Sequence, residues 1–165
     1  MMISTGIFAV VIITAVGAIL SLNQAQVKAA NIQNIQDNIR FTLESMTKEF
    51  RTGTNFNPAS CGFTGCTEIS FVRQDGINAG YCLDDGVIKR FESPIACTSP
   101  ASSPVTSADV SVGKLNFFVI GEDPGPGDGQ PRVTITIESR SVNPAMQFDT
   151  TLIMETTVTA RLRDL

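Results

Sequence analysis

The chain has 165 residues, a net charge of −4, and neither histidine nor tryptophan. Without histidine it lacks the commonest general base and metal ligand, and an acidic chain with no lysine or arginine run does not attract nucleic acid. The lysines at positions 28, 48, 89 and 114 belong to no catalytic motif. We therefore expect a structural protein without a cofactor, not an enzyme.

Residues 1–22 form an apolar segment, and Lys28 is the first charged residue of the sequence. The segment has the roughly 20 residues that an α-helix needs to cross a bilayer, so we predict a transmembrane helix. A cleaved signal peptide is disfavoured because no basic residue precedes the run, and a simple membrane anchor is the other alternative. The side chains predicted to contact lipid or neighbouring helices are Ile3, Ile7, Phe8, Val11, Ile12, Val16, Ile19 and Leu20.

Apolar residues then recur every three or four positions, which is typical of one face of a helix. The residues of this stripe are Ile32, Ile35, Ile39, Leu43, Met46 and Phe50. We predict one continuous helix from near Met1 to near Arg51, with residues 23–53 as its amphipathic half. Polar residues between the stripe positions, including Asn38 and Glu49, are expected to face solvent.

Beyond Thr52 the pattern changes to the alternation of β-strands. Predicted strands cover residues 68–73, 80–83, 87–91, 115–120, 133–139 and 150–162. Turn residues at 74–76 and 84–86 separate the first three strands, and long loops are expected at 92–108 and 121–131. The sequence thus predicts an α+β fold: the amphipathic half-helix packs on an antiparallel sheet within residues 54–165, and the apolar half protrudes.

The four cysteines, Cys61, Cys66, Cys82 and Cys97, all follow the apolar segment. An even number suits disulfides in an oxidising compartment, and the irregular spacing without histidine disfavours zinc. Of the three possible pairings we prefer Cys61–Cys66 with Cys82–Cys97, although a reduced pair is an alternative.

Three carboxylates in the second long loop, those of Glu122, Asp123 and Asp128, are weak candidates for calcium binding. Calcium requires several converging oxygen ligands, whereas carboxylates among prolines and glycines more often form a solvated turn. We therefore predict no metal site.

Several segments resemble the type IV pilin superfamily, which includes the pseudopilins of type II secretion. They are MMIS and GIFAVV at residues 1–4 and 6–11, FTLESMTKEFRTG at 41–53, ISFVRQDG at 69–76, PVTSADV at 104–110, GDGQPRVTITI at 127–137 and TTVTAR at 156–161. Mature family members begin with Phe-Thr-Leu-Ile-Glu, and Met1 corresponds to the sixth residue of that motif. No residue of this sequence corresponds to the glutamate of that motif.

The resemblance implies a pilin-like fold and a structural subunit of a pilus-like extracellular filament at the cell surface. Residues 1–22 would lie in the cytoplasmic (inner) membrane first and then pack against copies of the chain or other pilin-like subunits. Prepilin peptidase and the assembly machinery are the other implied partners. A pseudopilin of a type II secretion-like apparatus and a membrane-anchored surface adhesin are the alternative functions.

Overall fold

The computed structural model describes residues 2–62, 65–121, 130–142 and 151–161. Within these ranges, one α-helix, α1, covers Met2–Thr52 and precedes eight β-strands. The strands are β1 (Thr54–Gly62), β2 (Gly65–Val72), β3 (Asn78–Asp84), β4 (Val87–Glu92), β5 (Ser103–Pro104), β6 (Val110–Ile120), β7 (Arg132–Ser141) and β8 (Thr151–Thr159).

All described strand pairs are antiparallel and belong to one sheet of order β5-β4-β3-β2-β6-β7-β8, with β1 added beside β2. Most neighbours in this order are also consecutive in the chain, as in sheets built from hairpins. A long N-terminal helix followed by an antiparallel sheet confirms the predicted α+β class.

The chain divides into two compact units, Met1–Asn34 and Ile35–Leu165. The second unit has its own core, in which the helical residues 35–52 cover one face of the sheet. The stripe residues of α1 in this unit, Ile35, Ile39, Leu43, Met46 and Phe50, are all buried. The earlier stripe residue, Ile32, belongs to the first unit and is half-buried.

Side chains of alternate strand residues complete the core, as the period of two requires. Each strand of the β6–β7 pair buries one face and leaves the other at least partly exposed. In β8 the even-numbered residues point inward, as predicted, and Val158 is buried while its neighbours Thr157 and Thr159 are exposed. Residues 150 and 162, the predicted ends of this strand, lie outside the described residues.

The largest differences from the sequence-based prediction concern three strands, while the bounds of the others shift by up to three residues. β1 was not predicted, because Thr54–Gly62 is polar and contains Pro58. β5, with only two residues, lies inside the predicted loop 92–108. β6 begins at Val110 and not at residue 115.

The two predicted turns are present. Asp84 pairs with Val87, so Asp85 and Gly86 form a two-residue hairpin loop between β3 and β4. Both have positive φ, 48° and 74°, which is the backbone of the turn favoured by Asp-Gly. The other turn closes with a hydrogen bond from Gly76 N to Arg73 O.

Candidate functional site

The apolar side chains of the first unit are exposed. Between residues 3 and 27, the exposed fraction of the exposed large apolar side chains ranges from 44% at Ile12 to 81% at Ile3. All eight residues predicted to contact lipid or other helices are in this set, together with Val10, Ile13, Leu22 and Val27, which the sequence analysis did not single out. Successive residues of a helix differ in direction by about 100°, so consecutive exposed residues place apolar surface on every side.

The hydroxyl of Thr14, within the apolar segment, is satisfied inside the helix. The Thr14 hydroxyl lies 3.1 Å from Val10 O and 2.9 Å from Val11 O, one turn earlier in the same helix. Such bonds satisfy the Thr14 hydroxyl without water, which suits a helix in lipid or among other helices. The helix is long and apolar enough to cross a membrane.

The second part of the site is an aromatic cluster that holds the helix against the sheet. Phe50 makes edge-on contacts with the rings of Phe56, Phe71, Tyr81 and Phe117. The distances between ring centroids are 5.1–6.2 Å, within the range of favourable aromatic pairs. Phe50 is fully buried. Its side chain packs against rings from four strands, β1, β2, β3 and β6, and these contacts hold the end of α1 on the sheet.

A hydrogen-bonded network of charged residues borders this cluster. The Tyr81 hydroxyl donates to Glu49 Oε2 over 2.8 Å, and Arg90 Nε lies 3.2 Å from both carboxylate oxygens of Glu49. Arg90 Nη2 also pairs with Glu92 Oε1 at 2.9 Å, and the same oxygen accepts from Arg73 Nη1 at 2.9 Å. The network therefore links the helix to β3, β4 and the turn after β2.

Burial shifts the proton equilibria in this network. It raises the pKa of the Tyr81 hydroxyl, and the negative charge and hydrogen bond of Glu49 raise that pKa further. Burial acts to lower the pKa of Arg90, but its bonds to Glu49 and Glu92 outweigh this effect and the pKa is raised. Tyr81 thus remains a neutral donor and Arg90 a cation.

The expectation that Asn38 and Glu49 face solvent was wrong. Both are half-buried, and Asn38 Oδ1 accepts a 3.2 Å hydrogen bond from Ser107 N in the loop before β6. A fully buried Thr42 lies beside the stripe and bonds back to Asn38 O over 2.9 Å. The sequence contained a signal for this burial. Glu49 follows the buried residues Thr42 and Met46 at helical spacings of four and three, which places it beside the buried face.

A disulfide joins Cys82 in β3 to Cys97, with 6.1 Å between the Cα atoms. It fastens the loop between β4 and β5 to the sheet, as the sequence predicted. A buried Ser102 reinforces the same loop, because its hydroxyl bonds to the carbonyl oxygens of Cys97 and Ser99 at 2.9 and 2.7 Å. These contacts stabilise the loop that carries β5.

The other cysteine pairing stays a prediction. Cys61 and Cys66 are directly opposite in the β1–β2 pair. Opposed residues of an antiparallel pair lie at a separation that a disulfide can bridge. The side chain of Cys61 lies outside the described residues.

The weak calcium candidates Glu122, Asp123 and Asp128 also lie outside the described residues. Among the residues that are described, no group of three histidine, cysteine, aspartate or glutamate side chains is arranged to hold a metal ion.

No protein-family model, curated protein sequence or solved structure matches this chain. A long apolar N-terminal helix and an antiparallel sheet are compatible with a pilin-like shape. The family itself stays an interpretation of the sequence.

Proposed function

We propose that the chain is a structural subunit of a type IV pilus-like filament that assembles through the apolar part of α1. One observation carries the proposal: the helix Met2–Thr52 is uninterrupted, exposes large apolar side chains from Ile3 to Val27, before its first charged residue, and buries a regular stripe in the second unit. A simple anchor requires only the first of these features. The second feature connects the sheet domain, through the same helix, to the segment that is proposed to assemble.

Burial of apolar surface keeps this segment out of water both before and after assembly. Each large side chain moved from water into an apolar environment contributes about 1.5–3 kcal/mol. In a membrane and in a bundle of like helices the same side chains stay out of water. Transfer from one environment to the other is therefore feasible, and the sheet domain remains on the outside of the filament. The role is structural and involves no catalytic step.

The proposal is tested by electron microscopy with an antibody against the sheet domain. Ile12→Asp places a charge in the apolar segment, which disfavours lipid or helix burial by about 3 kcal/mol, and we expect labelled surface filaments to disappear. Ile77→Asp is the matched control, since Ile77 is 42% exposed and Ile12 is 44% exposed. Filaments that persist with Ile12→Asp contradict the proposal.

The alternatives give different distributions of label. Label dispersed over the membrane of wild-type cells, without filaments, supports an anchored adhesin. Filaments confined to the envelope, together with loss of secretion in a deletion strain, support a pseudopilin. Under the pilin proposal, an in-frame Gly-Phe-Thr-Leu-x-Glu is also expected upstream of Met1, which nucleotide sequencing checks.

A further inference from the structure

The edges formed by β5 and β8, the end strands of the strand order, differ. At one edge, β5 has two residues, Ser103 and Pro104, and proline has no N–H to donate. At the other edge, β8 extends over nine residues, Thr151–Thr159, without proline, lysine or arginine. Natural proteins protect sheet edges with short strands, prolines or charges. β5 has the first two of these features, whereas β8 has only the single charge of Glu155.

The register defines which backbone groups of β8 are unused. Ala160 N donates to Pro131 O, so this pair is hydrogen-bonded. Bonded and non-bonded pairs alternate along an antiparallel ladder, and the register continues without a shift to Arg140–Thr151. Even-numbered residues therefore bond to β7, and Ile153, Glu155 and Thr157 direct N–H and C=O to the free edge.

The next odd-numbered residue supports this assignment. Arg161 N donates a 3.0 Å hydrogen bond to Arg51 O at the end of α1, on the side away from β7. Within the described part of the chain, the corresponding groups of Ile153, Glu155 and Thr157 have no such partner. The edge is thus closed by the helix at one end and open along its middle.

A groove of about 330 Å³ lies beside this open stretch, between α1 and β8. Leu43 and Met154 supply its apolar surface, and the α1 residues Arg40 and Glu44 supply one charge of each sign. Glu155 is an odd-numbered residue of β8, so its side chain lies on the face of the sheet opposite α1. None of these three charged side chains forms an ion pair within the described residues. Arg40 and Glu44 balance each other in the groove, whereas the Glu155 carboxylate places a negative charge on the outer face of the β8 edge, with no ion pair among the described residues.

We propose that the β8 edge and this groove bind an extended segment of a partner protein, in which basic and apolar residues alternate. The segment adds a strand to the sheet through Ile153, Glu155 and Thr157. Strand addition in a groove between an edge strand and a helix is a common mode of peptide recognition. Apolar residues of the segment face Leu43 and Met154 in the groove. The alternate residues lie on the same face as Glu155, where basic side chains are favoured because opposite charges across a sheet attract each other. This surface includes α1 residues 40–47 but none of the apolar residues 1–22 through which the filament is proposed to assemble.

The test uses the full chain in a nonionic detergent and a short synthetic peptide of alternating lysine and valine. Hydrogen exchange should slow at the amides of Ile153, Glu155 and Thr157 when the peptide is added. Glu155→Pro removes only an outward-facing N–H and leaves the bonds to β7 in place. The loss of one backbone hydrogen bond predicts about tenfold weaker peptide binding.

Glu155→Gln is the matched control, since it keeps the backbone N–H and removes the charge. It should weaken binding by a smaller factor, and a peptide of alternating glutamate and valine should not bind. Peptide binding that is unchanged by Glu155→Pro, or equal for the two peptides, overturns the proposal. Concentration-dependent protection of the same amides without peptide also overturns it, because a second copy would then occupy the edge.

Discussion

The Tyr81 hydroxyl donates a 2.8 Å hydrogen bond to Glu49 Oε2 and so joins β3 to the last turn of α1. Tyr81 is the only tyrosine of the sequence, and tryptophan is absent. Tyrosinate absorbance therefore reports on this one group, and the contact between helix and sheet can be followed by a pH titration.

We predict that Tyr81 ionises at a higher pH in the folded protein than in the denatured chain. Burial, and then Glu49, raise the pKa of Tyr81 in the folded state. The unfolded pKa is about 10, so this contribution to stability is complete below about pH 10 and is lost as the pH rises toward the folded-state pKa. Absorbance titrations with and without urea measure both values.

Glu49→Gln is the control for this titration. The variant removes the carboxylate charge but leaves Tyr81 buried, so the pKa of Tyr81 should fall and still exceed that of the denatured chain. A folded wild-type protein that titrates like the denatured chain contradicts the hydrogen-bonded geometry.

Phe50 is predicted to be the most sensitive position of α1. Phe50→Ala leaves a cavity between the helix and the surrounding rings, and we expect unfolding to become easier by about 3–5 kcal/mol. Phe41→Ala is the control in the same helix, because Phe41 is 67% exposed, and its effect should stay within about 0.5 kcal/mol. Urea unfolding followed by Tyr81 fluorescence measures both, and equal effects would contradict the core described here.

The Cys82–Cys97 disulfide is predicted to stabilise the sheet domain. Its cysteines are 15 residues apart in sequence, and a loop of this length corresponds to about 3 kcal/mol. Replacing both cysteines by alanine should lower the free energy of unfolding by about this amount, measured by urea denaturation. Reductant should produce a similar decrease in the wild type, whereas a double variant as stable as the wild type would refute the prediction.

Structural elements whose apolar or turn residues recur at a regular spacing were predicted correctly from the sequence. The helical stripe of α1 and the Asp85–Gly86 hairpin depend on local spacing and on residues suited to positive φ. The start of β6 was missed because its register shifts between Val112 and Lys114. Val110 and Val112 are buried at even positions, whereas Leu115 and Phe117 are buried at odd positions, so no single alternation covers the strand.

The candidate site was predicted where it depends on hydrophobic pattern and missed where it depends on pairing. The exposed apolar residues of the first unit follow from composition alone. The role of Glu49 depends on Tyr81 and Arg90, which are 32 and 41 residues away in sequence. The spacing of apolar residues within one segment does not indicate which side chains, distant in sequence, that segment will contact.

Gly17→Leu separates filament assembly from simple anchoring. A Cβ at Gly17 would meet no atom within 4 Å, so the chain itself accommodates a larger side chain. Leucine also favours the helix by about 1 kcal/mol and increases apolarity, so membrane insertion is retained. In a filament core the helix is surrounded by others, and the added side chain overpacks the interface by about 1–3 kcal/mol.

We therefore expect normal amounts of membrane-inserted Gly17→Leu protein and about tenfold fewer filaments, counted by electron microscopy, since 1.4 kcal/mol corresponds to tenfold. Ile13→Leu is the control, because it changes the shape of an exposed apolar residue and not its volume. A simple anchor is indifferent to both substitutions. Unchanged filament numbers in Gly17→Leu, with unchanged membrane insertion, would mean that this face of α1 contacts lipid and not protein.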